Sequence, residues 1–331
     1  MRNTILFTSL TILVMLLFAI DLAVGSVSIP LTEVVGALTG GDCPPVTAKI
    51  VLNIRLVKAI VALIAGGALS VSGLQMQTLF RNPLAGPYVL GISSGASLGA
   101  AIFILGAPLF GLTSMALSFG IAGAAWIGSA LVLAVIAAVG HRIKDIMVIL
   151  ILGMMFSSGI SAVVQILQYM SNEESLKAFV VWTMGSLGDV TSSQLTIMFV
   201  AEAVGILLAV LTIKPLNMLL FGEEYAVSMG LNLRRSRALL FFSTTLLAGT
   251  VTAFCGPIGF IGLAMPHVAR LLFANSDHRI LLPGTLLTGA AVLLLCDIIS
   301  KSLTLPINAI TSLLGIPIVV WIVLRNKSIT V

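Results

Sequence analysis

The sequence predicts an all-α, polytopic membrane protein of about ten transmembrane helices, and three observations carry that expectation. Of its 331 residues, 59% are hydrophobic and only 9% are charged, against about 25% charged in a soluble domain. The apolar residues fall in long blocks, with a mean hydropathy of +1.17. Those blocks lack the period-2 alternation of an outer-membrane barrel, so each segment must satisfy its backbone groups internally, as a helix does. The whole chain, 1–331, reads as one transmembrane domain.

Breaks at charges, prolines and polar clusters place spans near 5–25, 56–80, 88–107, 113–140, 146–170, 192–213, 237–255, 258–274, 281–299 and 307–324. Each supplies roughly the 20 residues that a bilayer core requires, the eighth being short and the fourth long. The N-terminal run MRNTILFTSLTILVMLLFAIDLAVGS has the charge and apolar stretch of a signal peptide. Its apolar run is long enough to span, and it reads as an uncleaved first helix. An even count puts both termini on one side, and basic residues choose the side. With the N-terminus cytoplasmic, the inner segments hold twelve: Arg2, Arg81, Arg142, Lys144, Lys214, Arg234, Arg235, Arg237, Arg270, Arg279, Arg325 and Lys327. The outer segments hold five, Lys49, Arg55, Lys58, Lys177 and Lys301. The net charge of +5 is therefore an inner-leaflet feature beside membrane lipid and calls for no nucleic-acid partner.

Spans two and seven suggest an internal repeat. Arg55, Gly73 and Pro83 have the order and near spacing of Arg237, Gly256 and Pro266. Crossing in opposite directions, the two would form an inverted repeat, an arrangement common in transporters. Cys43, Cys255 and Cys296 are far apart in the chain, with no C-x-x-C pair and no zinc spacing.

Gly91-Ile92-Ser93-Ser94-Gly95 fits G-x-S-x-G, the nucleophile elbow of soluble hydrolases. No strand precedes it, so the elbow's context is missing. Gly91, Ser93, Ser94, Gly95, Ala96, Ser97, Gly99 and Ala100 instead make a small-residue face suited to close helix packing or pore lining. An intramembrane serine hydrolase using Ser93, Asp189 and His267 remains a formal alternative, and an ion-coupled secondary transporter is another. The second would need paired carboxylates at mid-membrane, whereas Asp21, Glu202 and Asp297 are dispersed. No G-x-x-x-x-G-K-[ST] occurs in the chain, so ATP hydrolysis would belong to another subunit. No catalytic residue, metal site or cofactor is expected here. His267, alone in its span, reads as packing or hinge. Met76, Met154, Met155, Met170, Met184 and Met265 could be core filler or a soft path for a bulky chelate.

The run from Arg55 through GGALSVSGLQMQTLFRNPLAGPYVLGISSGASLGA resembles the signature of the FecCD family, ABC importer permeases for iron siderophores, haem and cobalamin. WTMGSLG at 182–188, FGEEYAVSMGLNL at 221–233, GPIGFIGLAMPHVARLL at 256–272 and LLGIPIVVWIVLR at 313–325 match in family order. The resemblance implies a type II ABC importer permease fold in the bacterial inner membrane. It further implies a homodimer around an axial pathway, two cytoplasmic ATPase subunits holding ATP and Mg, and a periplasmic or surface-anchored substrate-binding protein.

Through the resemblance, binding-protein docking falls on Arg55, Lys58 and Lys301. Lys58 and Lys301 stand where the family has arginine; lysine keeps the charge and loses the bidentate fork. ATPase coupling falls on Gly222, Glu223, Glu224, Tyr225, Ala226 and Gly230. That assignment also suits the residues themselves, because acids at the start of a short helix favour its dipole. The cytoplasmic gate falls on Asn82 and Leu84 after span two, with Ile146 and Met147 at the start of span five.

Overall fold

The computed structural model describes residues 2–325 except 26, 42, 111–113, 141, 142 and 144; the side chains of 107–110, 114–119, 140, 323 and 325 are also outside the described set. Arg142, Lys144 and Lys327 of the charge reading, and the Arg325 side chain, thus lie outside the described residues. Among the described residues, ten helices follow the predicted spans: α1 (Arg2–Ala23), α2 (Leu56–Leu79), α3 (Ile92–Phe110), α4 (Ser114–Gly140), α5 (Ile146–Met170), α6 (Ser192–Leu211), α7 (Leu233–Cys255), α8 (Ile261–Phe273), α9 (His278–Leu303) and α10 (Ile307–Arg325); seven helices are long and apolar enough to cross a membrane by length and composition. No strand occurs among the described residues.

Several boundaries differ from the sequence expectation, each for a local reason. Helix α7 begins four residues early because the Asn232 side chain accepts from Arg235 N at 3.0 Å. Helix α9 begins at His278 because Asp277 accepts from Arg279 N at 2.9 Å. Such caps satisfy amide donors that no earlier turn can reach, so both helices start outside the apolar block. A tight turn at Pro87–Leu90 and a positive φ at Gly91 delay α3 to Ile92. An unpredicted helix, Glu173–Thr183, lies between α5 and α6, and its Phe179 is buried with Ala96, Ala100 and Ala101 of α3.

Helices α2, α7 and α9 form the buried centre, and α1 and α5 are mostly exposed. Small residues set the central spacing: a Cβ on Gly66 would overlap the carbonyl of Gly289, and a Cβ on Gly73 would overlap the carbonyl of Gly262. Backbones this close gain dispersion contacts that apolar lipid cannot displace.

Between α7 and α8 the chain runs non-helically from Gly256 (φ +72°) to Phe260 (φ +64°). Its polar groups are met by protein: Ser186 N donates to Cys255 O at 2.8 Å, Tyr88 OH to Ile258 O at 3.0 Å and Gly259 N to Asn308 Oδ1 at 2.9 Å. Irregular backbone at membrane depth requires such partners. Gly73 is interior to a helix, whereas Gly256, which the expected repeat pairs with it, ends one.

The bundle has two polar ends. Lys58, Asp297, Lys301 and Asp21 meet at one. At the other, Arg2 donates to Phe273 O, Arg81 packs over Gly222 and Arg237 pairs with Glu223.

Candidate functional site

At the Glu223 end, the predicted coupling residues form a short helix, Glu223–Ser228. Gly222 at φ +101° and Gly230 at φ +88° bracket it, a backbone region that glycine enters without a Cβ penalty. One oxygen pair of Glu223 accepts from Arg237 Nη2 at 2.6 and 2.7 Å, tying the helix to α7. Ala226 is its buried face; Glu224 and Tyr225 are exposed, as are Phe221, Val227 and Met229 nearby. A groove of about 1170 Å³ runs beside it, lined by Glu223, Glu224, Val227, Arg234, Arg237 and Phe241 among others.

The predicted gate residues occupy the same end. Asn82 Oδ1 accepts from Leu84 N at 2.9 Å, closing a turn that leaves Leu84 exposed. Asp145 caps α5 through Met147 N at 2.8 Å; Ile146 is buried and Met147 exposed. One apolar cluster contains Ala226 of the short helix, Ile146 of the second gate segment, and Ala85, next to Leu84 in the first. Packed interiors transmit displacement because they are dense and resist compression.

His267 Nε2 lies 2.7 Å from the Pro83 carbonyl. A carbonyl only accepts, so this nitrogen carries the proton and donates. The ring is thus committed to this bond. Its hydrogen bond serves the turn after α2 rather than carbonyls freed by Pro266 in its own helix.

Next to the gate turn is a cavity of about 580 Å³ lined by Leu84, Tyr88, Ser93, Ser94, Met154, Ser157 and Phe260 among others. Ser93 therefore faces a cavity, and no charged side chain is among the described lining residues. Of the six methionines, Met154 lines this cavity, whereas Met76 and Met265 are fully buried core.

At the opposite end the three docking candidates differ. Lys58 Nζ is 3.0 Å from Asp297 Oδ1, and Lys301 Nζ is 2.8 Å from both Asp297 Oδ2 and Asp21 Oδ1. Lys58, Asp297 and Lys301 border a cavity of about 290 Å³ with Ser186 and Ser300. Arg55 is turned inward, 4% exposed. Its guanidinium donates to Leu22 O at 3.0 Å, Ala23 O at 2.9 Å and Val27 O. A single wide helical turn at Val51–Arg55, running into α2, accompanies this inward placement. The Leu22 and Ala23 carbonyls end α1, where the helix dipole is negative and no further turn supplies donors, and Val27 O lies in the loop beyond. Sequence reasoning missed the acidic partners, although Asp297 and Lys301 stand four apart on one helix face, a spacing that brings side chains together.

Residues 12–325 match the model of the FecCD transport family. The hemin transport system permease protein HmuU of Yersinia pestis is 38% identical over 283 residues, 83% of this chain and 83% of its own. The ferric enterobactin transport system permease protein FepD of Escherichia coli is 32% identical over 323 residues, covering 96% and 94%. The molybdate import system permease protein MolB of Haemophilus influenzae is 31% identical over 327 residues, covering 96% and 95%. In three dimensions the chain resembles an inward-facing structure assigned to the metal-chelate type of ABC transporter, with a TM-score of 0.83, 30% identity and coverage of 96% and 98%. With these matches spanning nearly its full length, the chain belongs to the FecCD transport family and is a permease of the ABC importer type.

Proposed function

We propose that two copies of this chain form the pathway of a binding-protein-dependent importer in the bacterial inner membrane, both termini cytoplasmic, moving an iron chelate, haem or corrinoid inward. Two ATPase subunits dock on the exposed face of Glu223–Ser228, and a substrate-binding protein docks at the Lys58 end. The observation that carries this reading is the shared apolar cluster of Ala226, Ala85 and Ile146. It gives an ATPase stroke a packed route to both gate segments.

The exposed surface of α5 supports pairing of two copies. It includes Ser161 and Gln165 beside Met154, and hydrogen-bonding side chains that face lipid are costly. A second copy and an aqueous path between the two would solvate them. The uncharged lining of the neighbouring cavity suits a bulky chelate whose charge is delocalised or internally neutralised, and offers no cation for a bare oxyanion. At the outer end, Lys58 supplies the more exposed docking charge, Lys301 is held beneath it by Asp297 and Asp21, and Arg55 acts by fixing the end of α1.

The test is uptake into proteoliposomes containing the permease, its ATPase and its binding protein, comparing ferric siderophore, haem, cobalamin and molybdate. ATP-dependent uptake of one of the first three is expected. Uptake of molybdate alone, or uptake driven by a proton or sodium gradient without ATP, would contradict the reading.

A further inference from the structure

Helices α2 and α9 are fastened to each other at three depths. Lys58 of α2 and Lys301 of α9 share the Asp297 carboxylate at one end. In the middle, the Gly66 and Gly289 backbones approach too closely for any side chain, and Ser70 lies against Gly289. At the far end, Thr78 Oγ1 of α2 lies 2.9 Å from His278 Nε2 of α9. The two helices thus make a strut running the length of the bundle.

The far end of that strut is joined to the segment leading into the coupling helix. Asn217, on the short helix Ile213–Leu219, donates through Nδ2 to Asp277 Oδ1 at 2.7 Å. Its Oδ1 receives His278 N at 2.9 Å and lies 2.7 Å from His278 Nδ1. Each assignment follows from the one before it. An ionised carboxylate only accepts, so the amide nitrogen of Asn217 must face Asp277 and its oxygen must face His278. That oxygen only accepts, so Nδ1 carries the imidazole proton. The neutral ring then presents Nε2 as an acceptor, and the single proton of the Thr78 hydroxyl, which also lies 3.0 Å from Leu74 O, is shared between the two. Thr78 and His278 are 5% and 1% exposed, so water does not compete for the bond between them. Leu216 and Leu219 of the same short helix share an apolar cluster with Ala226 of the coupling helix.

We propose that Thr78, His278 and Asn217 are positioning residues that link the state of the coupling helix, through the α2–α9 strut, to the ion-pair cluster at the binding-protein face. The proposal rests on docking at Lys58 and Lys301, as proposed above. It makes nucleotide on the ATPase and the binding protein on the opposite face thermodynamic partners, each changing the other's affinity by the same factor. A contiguous packed and hydrogen-bonded network can carry such a term only if its joints hold.

The experiment measures the Kd of ligand-free binding protein for the assembled permease–ATPase complex in nanodiscs, with and without a non-hydrolysable ATP analogue. The wild type is expected to show a nucleotide-dependent change of about fivefold or more. Thr78→Val, which keeps the volume and removes the hydroxyl, and Asn217→Ala should reduce the change to under about twofold while leaving the nucleotide-free Kd as in wild type. Thr78→Ser, which keeps the hydroxyl, should retain it. A wild type without any change, or Thr78→Val and Asn217→Ala complexes that keep the full change, would overturn the proposal. So would weakened nucleotide-free binding in the variants, which would mark the junction as structural. If the nucleotide-free Kd is indifferent to Lys58→Ala, the docking reading itself fails, and that outcome is separate from the others.

Discussion

Lys58 and Lys301, on two different helices, converge on one buried carboxylate, Asp297, at 3.0 and 2.8 Å, and Lys301 also holds Asp21 of α1 at 2.8 Å. The two lysines are not equivalent. The Lys301 side chain is 7% exposed and Lys58 20%, so the first closes a buried network whereas the second reaches toward solvent.

Replacing Lys301 with alanine is expected to destabilise the fold, because two buried carboxylates lose their shared cation. The cost is about 3–5 kcal/mol for breaking a buried pair on one side. Thermal melting in detergent checks it, and an unchanged Tm would place compensating charge nearby. Lys58→Ala is expected to melt near the wild type and to weaken binding-protein docking, with a smaller salt dependence than wild type.

The close approach of Gly73 to the Gly262 carbonyl predicts that Gly73→Ala forces α2 and α8 apart. Overpacking of this kind costs about 1–3 kcal/mol. Reduced yield of folded protein and a lower Tm are the expected readouts; a silent substitution would show that α8 can retreat.

His267→Leu removes the donor that holds the Pro83 carbonyl, leaving a buried acceptor to find water, at a cost of about 1–3 kcal/mol. The gate turn should loosen, and proteoliposomes should leak a small fluorescent solute without ATP. A tight variant would assign gate closure to the apolar contacts of Ala85 instead.

Asp277, in the loop between α8 and α9, accepts from Arg279 N and from Asn217, and these donors hold its carboxyl below the ordinary range. Its ionised form is favoured in the folded chain, so the stabilisation is complete above the unfolded pKa of about 3.9 and is lost as pH falls through the lower folded value. The Tm difference between wild type and Asp277→Asn should therefore hold steady from neutral pH down to the ordinary carboxylate pKa and shrink only below it. Shrinkage near neutrality would contradict the geometry.

Much of the architecture is legible because a bilayer reduces the problem to apolar length: ten blocks gave ten helices, with α2, α5 and α6 starting within a residue of expectation. Starts fixed by side-chain caps, as at Asn232 and Asp277, escape hydropathy because the caps are polar residues in loops. The turns and short helix that carry the expected coupling and gate residues are legible as contiguous segments with turn glycines and an exposed acid. What stays hidden is pairing across distance: Asp21 with Lys301 and Asn217 with His278 are joined by 280 and 61 residues of separation, and nothing local marks either. Arg55 illustrates the same limit, since a basic residue at a helix end looks alike in sequence whether it reaches outward or caps carbonyls at the end of α1.

The central claim is that this permease works only as one part of an ATP-driven assembly. The most direct measurement is the native mass and subunit content of the protein co-expressed with the products of its neighbouring genes and purified in detergent. Two copies of this chain with two ATPase subunits are expected, and Glu223→Arg with Glu224→Arg, which breaks the Arg237 pair and reverses the exposed charge of the coupling helix, should release the ATPases. A stable particle without any ATPase, or an assembly indifferent to that double substitution, would contradict the account.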